Sequence, residues 1–326
     1  MARKMHADQL DTDVALVRRL LAAQFPQWAD LSIEQVETDG TENAIYRLGE
    51  DMAVRLAYSA YRPVKTEQVD KLDRWLPKFA PHLPLAIPEP LGRGAPSEDF
   101  PCAWSVCRWL EGEEATFKRL SDPNQAAADL AEFIHALQQI DPAGGPAPGE
   151  HNFWRGVPLA ARDGYTRDAI ENSEGLIDTD SVTAAWELDV HAPVWDSPPV
   201  WIHEDLAPGN LLAFKGRLSA VIDWGGLGVG DPATELQPAW NLFRSESRNA
   251  FRTAMSVDDA TWARGRGLAL SVAVVALPYY LDTNPVIVRW ARYMIDEVLA
   301  DHERGAVRES PSHHVHKRAA GERQQP

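Results

Sequence analysis

The hydrophobic pattern at the start of the chain is helical. Leu10, Val14, Val17 and Leu21 recur at helical spacing and predict an amphipathic helix that ends before Pro26. A second helical pattern covers 64–79. Between these helices the apolar residues follow the period of a strand instead.

Short runs rich in Ile, Val and Tyr predict strands in the N-terminal third. The predicted strands lie at 32–38, 44–48, 52–58 and 100–110. A turn at 49–51 joins the second and third into a hairpin. This part of the chain is therefore expected to be rich in β-structure.

Beyond residue 120 the pattern is mainly helical. A helix is predicted over 123–140, with Asp122 as its N-cap, and helices fill most of the chain to about residue 304. A strand at 200–203 and a hairpin at 210–222 interrupt them. The C-terminal part therefore carries a few paired strands within a helical body.

A polar break at 111–113 divides the chain into 1–110, which is β-rich, and 111–307, which is mainly helical. Residues 308–326 are polar and are expected to form a disordered tail. Two lobes joined by a short hinge leave a cleft, which is the commonest place for a ligand. The sequence predicts a two-lobed α+β protein with its site in that cleft.

The charge balance narrows the class of ligand. The 326 residues carry 32 Lys and Arg against 48 Asp and Glu, a formal net charge of −16. Proteins that bind nucleic acid usually present a basic surface, so nucleic acid is not an expected partner. The acidity favours a cationic ligand, and simple solubility is the alternative explanation.

Cysteine content and hydropathy predict a cytoplasmic protein. Cys102 and Cys107 are too few for a disulfide scaffold or a zinc site. The apolar residues at 14–23 are interrupted by two arginines, so no secretory signal is expected. The longest apolar stretch, 268–281, is about 14 residues and too short to cross a bilayer. No membrane partner is expected.

The residues that point most directly to chemistry lie between 201 and 240. Asp205 follows a predicted strand, Asn210 comes five residues later, and Asp223 ends the next hairpin. The hairpin would place side-chain oxygens of Asn210 and Asp223 side by side. Mg²⁺ commonly takes one or two such protein oxygens together with oxygens of the substrate phosphates. Asp205 is then a spare carboxylate for the proton of an attacking hydroxyl. Singly these are ordinary turn residues, but the complete H-x-D-x₄-N-x₁₂-D-x-G spacing favours function.

The motifs HxDxxxxN, IDWG and GDPA together resemble the aminoglycoside phosphotransferase family, which shares the protein-kinase-like fold. Further segments with the family's character are GTENAIYRLG, MAVRL, EQVDKLDRWLP, WSVCRWLEGE and HNFWRGVPLA. The resemblance extends over nearly the whole chain. It implies a small lobe that binds nucleotide and a larger lobe that holds the catalytic loop, the metal and the acceptor.

The resemblance implies a role for each residue of the central motif. Asp205 is the implied catalytic base or hydroxyl-orienting carboxylate, and Asn210 and Asp223 are the implied Mg²⁺ ligands. Arg55 stands where kinases place the Lys that contacts the α- and β-phosphates, and its guanidinium can clamp phosphate oxygens. The alternative for Arg55 is an ordinary strand arginine with its charge in water.

The resemblance also implies nucleotide contacts elsewhere in the N-terminal lobe. Gly40, Thr41 and Asn43 would lie over the phosphates, although their loop lacks the GxGxxG of protein kinases. Backbone groups of Arg108 and Leu110 would pair with adenine in the hinge. The implied cofactors are ATP, or GTP, and Mg²⁺.

Among the departures from the family pattern, Glu204 and Leu72 bear most on catalysis. Glu204 stands where the family usually has Gly, and it is open whether it faces solvent, the nucleotide or a cationic substrate. Two charges ~4 Å apart interact by roughly 4 kcal/mol at an effective dielectric of about 20, so an inward Glu204 would matter. Leu72 stands where the N-lobe helix usually carries a Glu that pairs with the phosphate-binding residue. Glu67, Asp70 and Asp73 are other candidates for that pairing.

Three functions stay open at this point. The first is transfer of phosphate from ATP to a hydroxyl of a small, amino-bearing molecule such as an aminoglycoside, which would confer antibiotic resistance. The second is a kinase-like protein that binds nucleotide or metabolite with lost or changed catalysis. The third is transfer to a sugar, macrolide or amino alcohol. Candidate acceptor residues are Glu235, Trp240, Tyr279, Tyr280 and Asp282, although such aromatic residues more often lie in the core.

Overall fold

A computed structural model of the protein describes residues 10–37, 42–58 and 62–309. Gly40 and Thr41 lie outside these ranges, as does the predicted tail from residue 310 onward. What the sequence predicts for them therefore stays a prediction.

The described N-terminal strands form one antiparallel sheet. They are β1 (Ile33–Val36), β2 (Asn43–Leu48), β3 (Met52–Ala57), β4 (Pro90–Gly94) and β5 (Trp104–Arg108). Their order in the sheet is β1-β2-β3-β5-β4, and β2 and β3 form the predicted hairpin, with Gly49 in its turn at φ +60°. The strand predicted over 100–110 is shorter, because Pro101 has no N–H to donate to a neighbouring strand.

Two helices flank this sheet, and they belong to different cores. Helix α1 (Val14–Gln24) begins at Asp13, whose carboxylate accepts the Leu16 amide, and it packs with the strands in one apolar cluster. Helix α2 (Arg62–Phe79) instead places Trp75 and Phe79 in the cluster of the C-terminal part. Both rings contact Trp201, with centroids 4.6 and 4.8 Å away. Helix α2 therefore ties the two parts of the molecule together.

The C-terminal part is mainly helical, as predicted. Its helices are α3 (Pro123–Gln138), α4 (Asp163–Glu171), α5 (Thr179–Val190), α6 (Pro238–Asn241), α7 (Ser245–Met255), α8 (Asp259–Tyr280) and α9 (Pro285–Glu309). Helix α3 begins at the predicted cap, since Asp122 accepts the amides of Asn124 and Gln125. In the described part of the chain no helix is long and apolar enough to cross a membrane.

Short strands lie at the inner edge of this helical body. They are β6 (Glu113–Glu114), β7 (Val200–Ile202), β8 (Leu211–Phe214), β9 (Arg217–Val221) and β10 (Gly228–Gly230). β8 and β9 form the predicted hairpin and β6 pairs with β8, while β7 pairs with β10. The ends of β7 and β9 meet below the N-terminal sheet, and the motif residues follow them.

Candidate active site

The loop after β7 is fixed by hydrogen bonds around Asp205. The Asn210 side-chain Nδ2 donates to the backbone oxygen and to Oδ2 of Asp205, both at 2.9 Å. The Asp205 amide contacts His203 Nδ1 at 3.3 Å, and the other ring nitrogen of His203 bonds the Ile222 carbonyl at 2.9 Å. Asp205 therefore has a fixed orientation, and the buried His203 links the loop to the hairpin.

The hairpin brings Asp223 to the same place. The Ile222 amide donates to the Asn210 carbonyl at 2.8 Å, so the residue before Asp223 is held against the loop that carries Asp205 and Asn210. Asp223 adopts a left-handed backbone, φ +60°, and turns the chain out of β9. Asp205, Asn210 and Asp223, which the sequence predicts to converge, are therefore neighbours.

The donor set fits a magnesium ion shared with a phosphate ligand. The side-chain nitrogen of Asn210 makes both of its hydrogen bonds to Asp205. The side-chain oxygen of Asn210 therefore points away from the Asp205 carboxylate. Among the described residues no group of three or more His, Cys, Asp or Glu side chains is arranged to hold a metal. One amide oxygen and one carboxylate suit Mg²⁺, which keeps waters and phosphate oxygens as its other ligands.

Arg55 reaches this site from the sheet above. Its Nη2 lies 2.7 Å from Asp223 Oδ1, and its side chain is 15% exposed, so it is not an arginine with its charge in water. Burial alone would lower the pKa of Arg55, but Asp223 more than compensates, so the pKa lies above its usual value. Asn43 and Leu72 line the small cavity beside Arg55, about 30 Å³ in volume.

Helix α2 contacts the site through a lysine. Lys71 Nζ donates to the carbonyls of Gly225 and Leu227, at 2.7 and 3.0 Å, in the loop that follows Asp223. Burial lowers the pKa of Lys71 to about 8. Asp70, one of the candidates for pairing with Arg55, is bound to Arg93 instead. The helix therefore contacts the loop after Asp223 through a lysine that donates to backbone oxygens.

The predicted adenine-binding segment lies at the end of β5. The Arg108 amide donates to the Glu89 carbonyl at 2.9 Å, and its guanidinium binds the carboxylates of Asp51 and Glu89. Leu110 follows this strand and is half-buried. Arg108 is thereby anchored on both sides, and the adenine contacts of Arg108 and Leu110 remain a prediction.

Glu204 is buried under the catalytic loop. Its Oε2 lies 2.7 Å from Arg155 Nη1, and the same Nη1 lies 3.0 Å from Asp205 Oδ1. The residue is 5% exposed, so its side chain does not face solvent. Its φ of +84° explains why glycine suits this position. A Cβ on Gly226 would lie 1.6 Å from Glu204 Oε1, so the bare backbone there makes room for this side chain.

A second carboxylate supports this loop from below. Glu235 Oε1 accepts the Glu204 amide at 2.8 Å, and Gln237 Nε2 donates to the Glu204 carbonyl at 2.8 Å. Burial raises the pKa of Glu204, a rise that the Arg155 guanidinium opposes, and it raises the pKa of Glu235 to about 7, because a charged carboxylate is poorly solvated there. Glu235 thus has a structural role.

The predicted acceptor residues divide into buried and exposed ones. Glu235 and Trp240 are fully buried, so they do not line an open pocket, whereas Tyr279 at the end of α8 is 60% exposed. Nearer the catalytic loop, Phe153 and Trp154 are more than half exposed. The Phe153 ring centroid lies 5.8 Å from Arg155 Cζ. An aromatic surface therefore lies beside the guanidinium that contacts Asp205.

Two residues at the site, Arg155 and Lys71, were not singled out from the sequence. Arg155 lies in HNFWRGVPLA, which resembles the family but offers no ligand spacing. Lys71 directly precedes Leu72, and its contact is to backbone oxygens, which leave no trace in the sequence. The sequence carries no signal for either contact, because the burial of Glu204, which calls for a cationic partner, is visible only in the structure.

Comparison with known proteins places the chain in a family. Residues 32–268 match the model of the phosphotransferase enzyme family, APH. A curated relative is hygromycin-B 4-O-kinase from Escherichia coli, 28% identical over 178 residues. That match spans 50% of this chain and 50% of the relative, so the similarity covers about half of the relative's length.

Solved structures are similar over almost their whole length. The GDP and kanamycin complex of APH(2″)-IIIa has a TM-score of 0.68 at 19% identity and covers 87% of this chain and 98% of its own. Macrolide 2′-phosphotransferase MphH from Brachybacterium faecium has a TM-score of 0.58 at 19% identity, with the same coverage. These likenesses confirm the two-lobed, protein-kinase-like fold. With the family match over most of the described residues, they show that this chain belongs to the phosphotransferase enzyme family, the aminoglycoside phosphotransferases that its motifs resemble.

Proposed function

We propose that this protein is an ATP- and Mg²⁺-dependent phosphotransferase that moves the γ-phosphate of ATP, or of GTP, to a hydroxyl of a small molecule. The observation that carries this proposal is the convergence of Asp205, Asn210 and Asp223 below Arg55. A carboxylate for the hydroxyl, two oxygens for a metal and a cation for phosphate are the parts that phosphoryl transfer needs.

Asn210 and Asp223 would hold Mg²⁺, and Arg55 would contact the phosphates. When bound, the metal would offset the negative charge that develops on the phosphate groups during transfer. Gly40, Thr41 and Asn43 would lie over the phosphates, in line with the family resemblance. This site lies between the sheet and the catalytic loop, where the two lobes meet.

Asp205 would orient the acceptor hydroxyl and accept its proton. As the acceptor oxygen bonds to the γ-phosphorus, the bond from phosphorus to the β,γ-bridging oxygen breaks and the nucleoside diphosphate leaves. Asn210 holds Asp205 Oδ2 at 2.9 Å, so the carboxylate is oriented before the substrate arrives. Positioning and electrostatics would supply most of the rate.

The acceptor that fits best is a small, amino-bearing molecule such as an aminoglycoside. The relatives named above include a kinase of hygromycin B and a complex with kanamycin, and the net charge of −16 suits a polycation. The exposed rings of Phe153 and Trp154 favour a second candidate, a macrolide, because its lactone offers an apolar surface. A cytoplasmic location, where ATP and Mg²⁺ are at hand, suits either acceptor.

The alternative of a kinase-like binding protein without catalysis has less support. It depended on Leu72 and Glu204 as departures from the family pattern. Glu204 is buried against Arg155, whose guanidinium offsets the negative charge of the carboxylate, so that charge need not repel the phosphates. Arg55 has a carboxylate partner in Asp223 although Leu72 offers none.

The deciding experiment is ADP or GDP release from the Mg²⁺ nucleotide by purified protein. Panels of aminoglycosides and macrolides are supplied as acceptors, and the phosphorylated product is identified by mass. Release that depends on an acceptor and is lost in Asp205→Asn supports the proposal and names the substrate class. Nucleotide binding with no turnover on either panel would favour the binding protein instead.

A further inference from the structure

Arg155 contacts the catalytic loop from a segment that lies 49 residues before Glu204. Its Nη1 lies 2.7 Å from Glu204 Oε2 and 3.0 Å from Asp205 Oδ1, and it donates to the Glu204 carbonyl at 3.3 Å. The Arg155 side chain is 13% exposed. Because Asn210 bonds the other oxygen of Asp205, that carboxylate is held from both sides.

The backbone before Arg155 is bent to deliver it. Phe153 and Trp154 both adopt left-handed conformations, with φ of 52° and 57°, which bulky residues rarely do. Asn152 Nδ2 donates to the Arg155 carbonyl at 3.0 Å, and Arg162 donates to the carbonyl of Phe153. Two strained residues in succession, tied down by buried polar groups, indicate that the position of Arg155 is maintained for a purpose.

Glu204 is the anchor that keeps this guanidinium in place. The guanidinium lies 2.7 Å from the Glu204 carboxylate and 3.0 Å from the Asp205 carboxylate, so both carboxylates share the charge of Arg155. The position of Glu204 is itself fixed by Glu235, which accepts the Glu204 amide, and by the space above Gly226. Glu204, which stands where the family usually has Gly, and Arg155 therefore act as one unit.

We infer that Arg155 is a positioning residue for Asp205, anchored by Glu204. The guanidinium fixes the Oδ1 side of the carboxylate while Asn210 fixes the Oδ2 side, so that one orientation toward the acceptor hydroxyl is selected. The catalytic part of this inference rests on the proposed function of Asp205. The contact itself does not, and the two are tested separately.

The first test measures coupling and needs no turnover. Thermal unfolding midpoints are compared for the parent, Arg155→Met, Asp205→Asn and the double variant. Residues in direct contact give effects that do not add, whereas independent residues give additive effects. A double variant less destabilised than the sum of the singles supports the contact. Strict additivity would overturn the inference whatever the enzyme's activity.

The second test separates positioning from folding. Arg155→Met alone leaves Glu204 buried without a partner, so the informative variant is Arg155→Met with Glu204→Gln, which removes both charges. We expect kcat to fall by about 100-fold while the KM for nucleotide stays within about twofold, as for a misplaced catalytic group. Arg155→Lys, which keeps the cation, should recover most of the loss.

The matched control is Arg167→Met, which removes an arginine that pairs with Asp163 and Glu187 on the outer surface. It should keep the parent kcat. If the double variant Arg155→Met, Glu204→Gln keeps the kcat of the parent, a positioning role for Arg155 is excluded. The same holds if that variant melts at a lower temperature than the parent but has the same kcat. Failure of the parent to use any acceptor would count against the proposed function alone, because the coupling test still decides whether Arg155 holds Asp205.

Discussion

Arg55 of the sheet and Asp223 of the C-terminal hairpin form an ion pair of 2.7 Å across the cleft, although 168 residues separate them in the chain. In the proposed reaction each has a second partner, phosphate for Arg55 and Mg²⁺ for Asp223. The pair thus holds two binding groups close together before the ligand arrives. Because the arginine side chain is only 15% exposed and the aspartate is partly buried, the contact is expected to be stronger than an ion pair between fully exposed side chains.

Replacement of Arg55 should weaken nucleotide binding. A charge-assisted hydrogen bond contributes about 1.5–3 kcal/mol, so Arg55→Met should raise the nucleotide KM by roughly 10- to 100-fold. Arg55→Lys should raise the nucleotide KM less than Arg55→Met does, because lysine keeps the positive charge but not the two-pronged hydrogen bonding of the guanidinium. The control is Arg93→Met, another arginine of the same sheet, which pairs with Asp70. Equal nucleotide KM values for Arg55→Met and this control would contradict the assignment.

Lys71 should also affect nucleotide binding, because it holds the backbone of the loop that follows Asp223. Lys71→Met removes the donor to the Gly225 and Leu227 carbonyls and frees the loop that follows Asp223. We expect the Kd for the Mg²⁺–nucleotide complex, measured by calorimetry, to rise by about tenfold, as for the loss of one charged hydrogen bond. Lys118→Met, at an exposed position, serves as the control. Binding by Lys71→Met as tight as in that control would show that the loop needs no such support.

The fit between Glu204 and Gly226 gives a reciprocal prediction. Gly226→Ala should severely destabilise the protein, because its Cβ would lie 1.6 Å from Glu204 Oε1. The same substitution in a Glu204→Gly background should be tolerated, since the obstructing side chain is absent. Unfolding midpoints of the four proteins measure this. An equal loss of stability in both backgrounds would show that the crowding has another source.

Glu235 should make stability fall as the pH rises. Burial raises the pKa of this carboxyl from 4.5 to about 7, so the folded state keeps a proton that the unfolded chain releases above pH 4.5. The stabilisation is complete below 4.5 and is lost as the pH rises through 7. Glu235→Gln does not titrate, so it should gain stability relative to the parent over this range, by roughly 3 kcal/mol at pH 8.

Urea unfolding at pH 5 and pH 8 measures the effect of Glu235→Gln. The exposed Glu303→Gln serves as a control, since its carboxyl lies in solvent. A stability difference between Glu235→Gln and the parent that is the same at both pH values would contradict the prediction.

The part of the site that follows from local chain geometry was predictable. Asp205, Asn210 and Asp223 lie within 19 residues on one loop and one hairpin, so their spacing alone brings them together. The α+β, two-lobed architecture likewise follows from the change of hydrophobic period along the chain. Helix α3 begins at its predicted cap because Asp122 and Pro123 act on neighbouring backbone.

Contacts between distant segments were not predictable in this way. The pairing of Glu204 with Arg155 depends on a strained loop, and neither residue type nor spacing indicates it. The burial of Glu235 and Trp240 also comes from tertiary packing, since carboxylates and aromatic rings occur in pockets and cores alike. The start of the strand predicted over 100–110 was wrong, because Phe100, Cys102 and Ala103 are buried without strand geometry.

The packing of α2 has a consequence for motion. Trp75 and Phe79 seat this helix on Trp201, in the core of the C-terminal part, while Asp70 of the same helix binds Arg93 on β4 of the sheet. The two attachments differ in kind, since one is a buried aromatic cluster and the other is an ion pair between exposed side chains. A displacement of α2 from the C-terminal part would have to break the aromatic cluster, whereas a shift of the sheet relative to α2 would break a weaker surface contact.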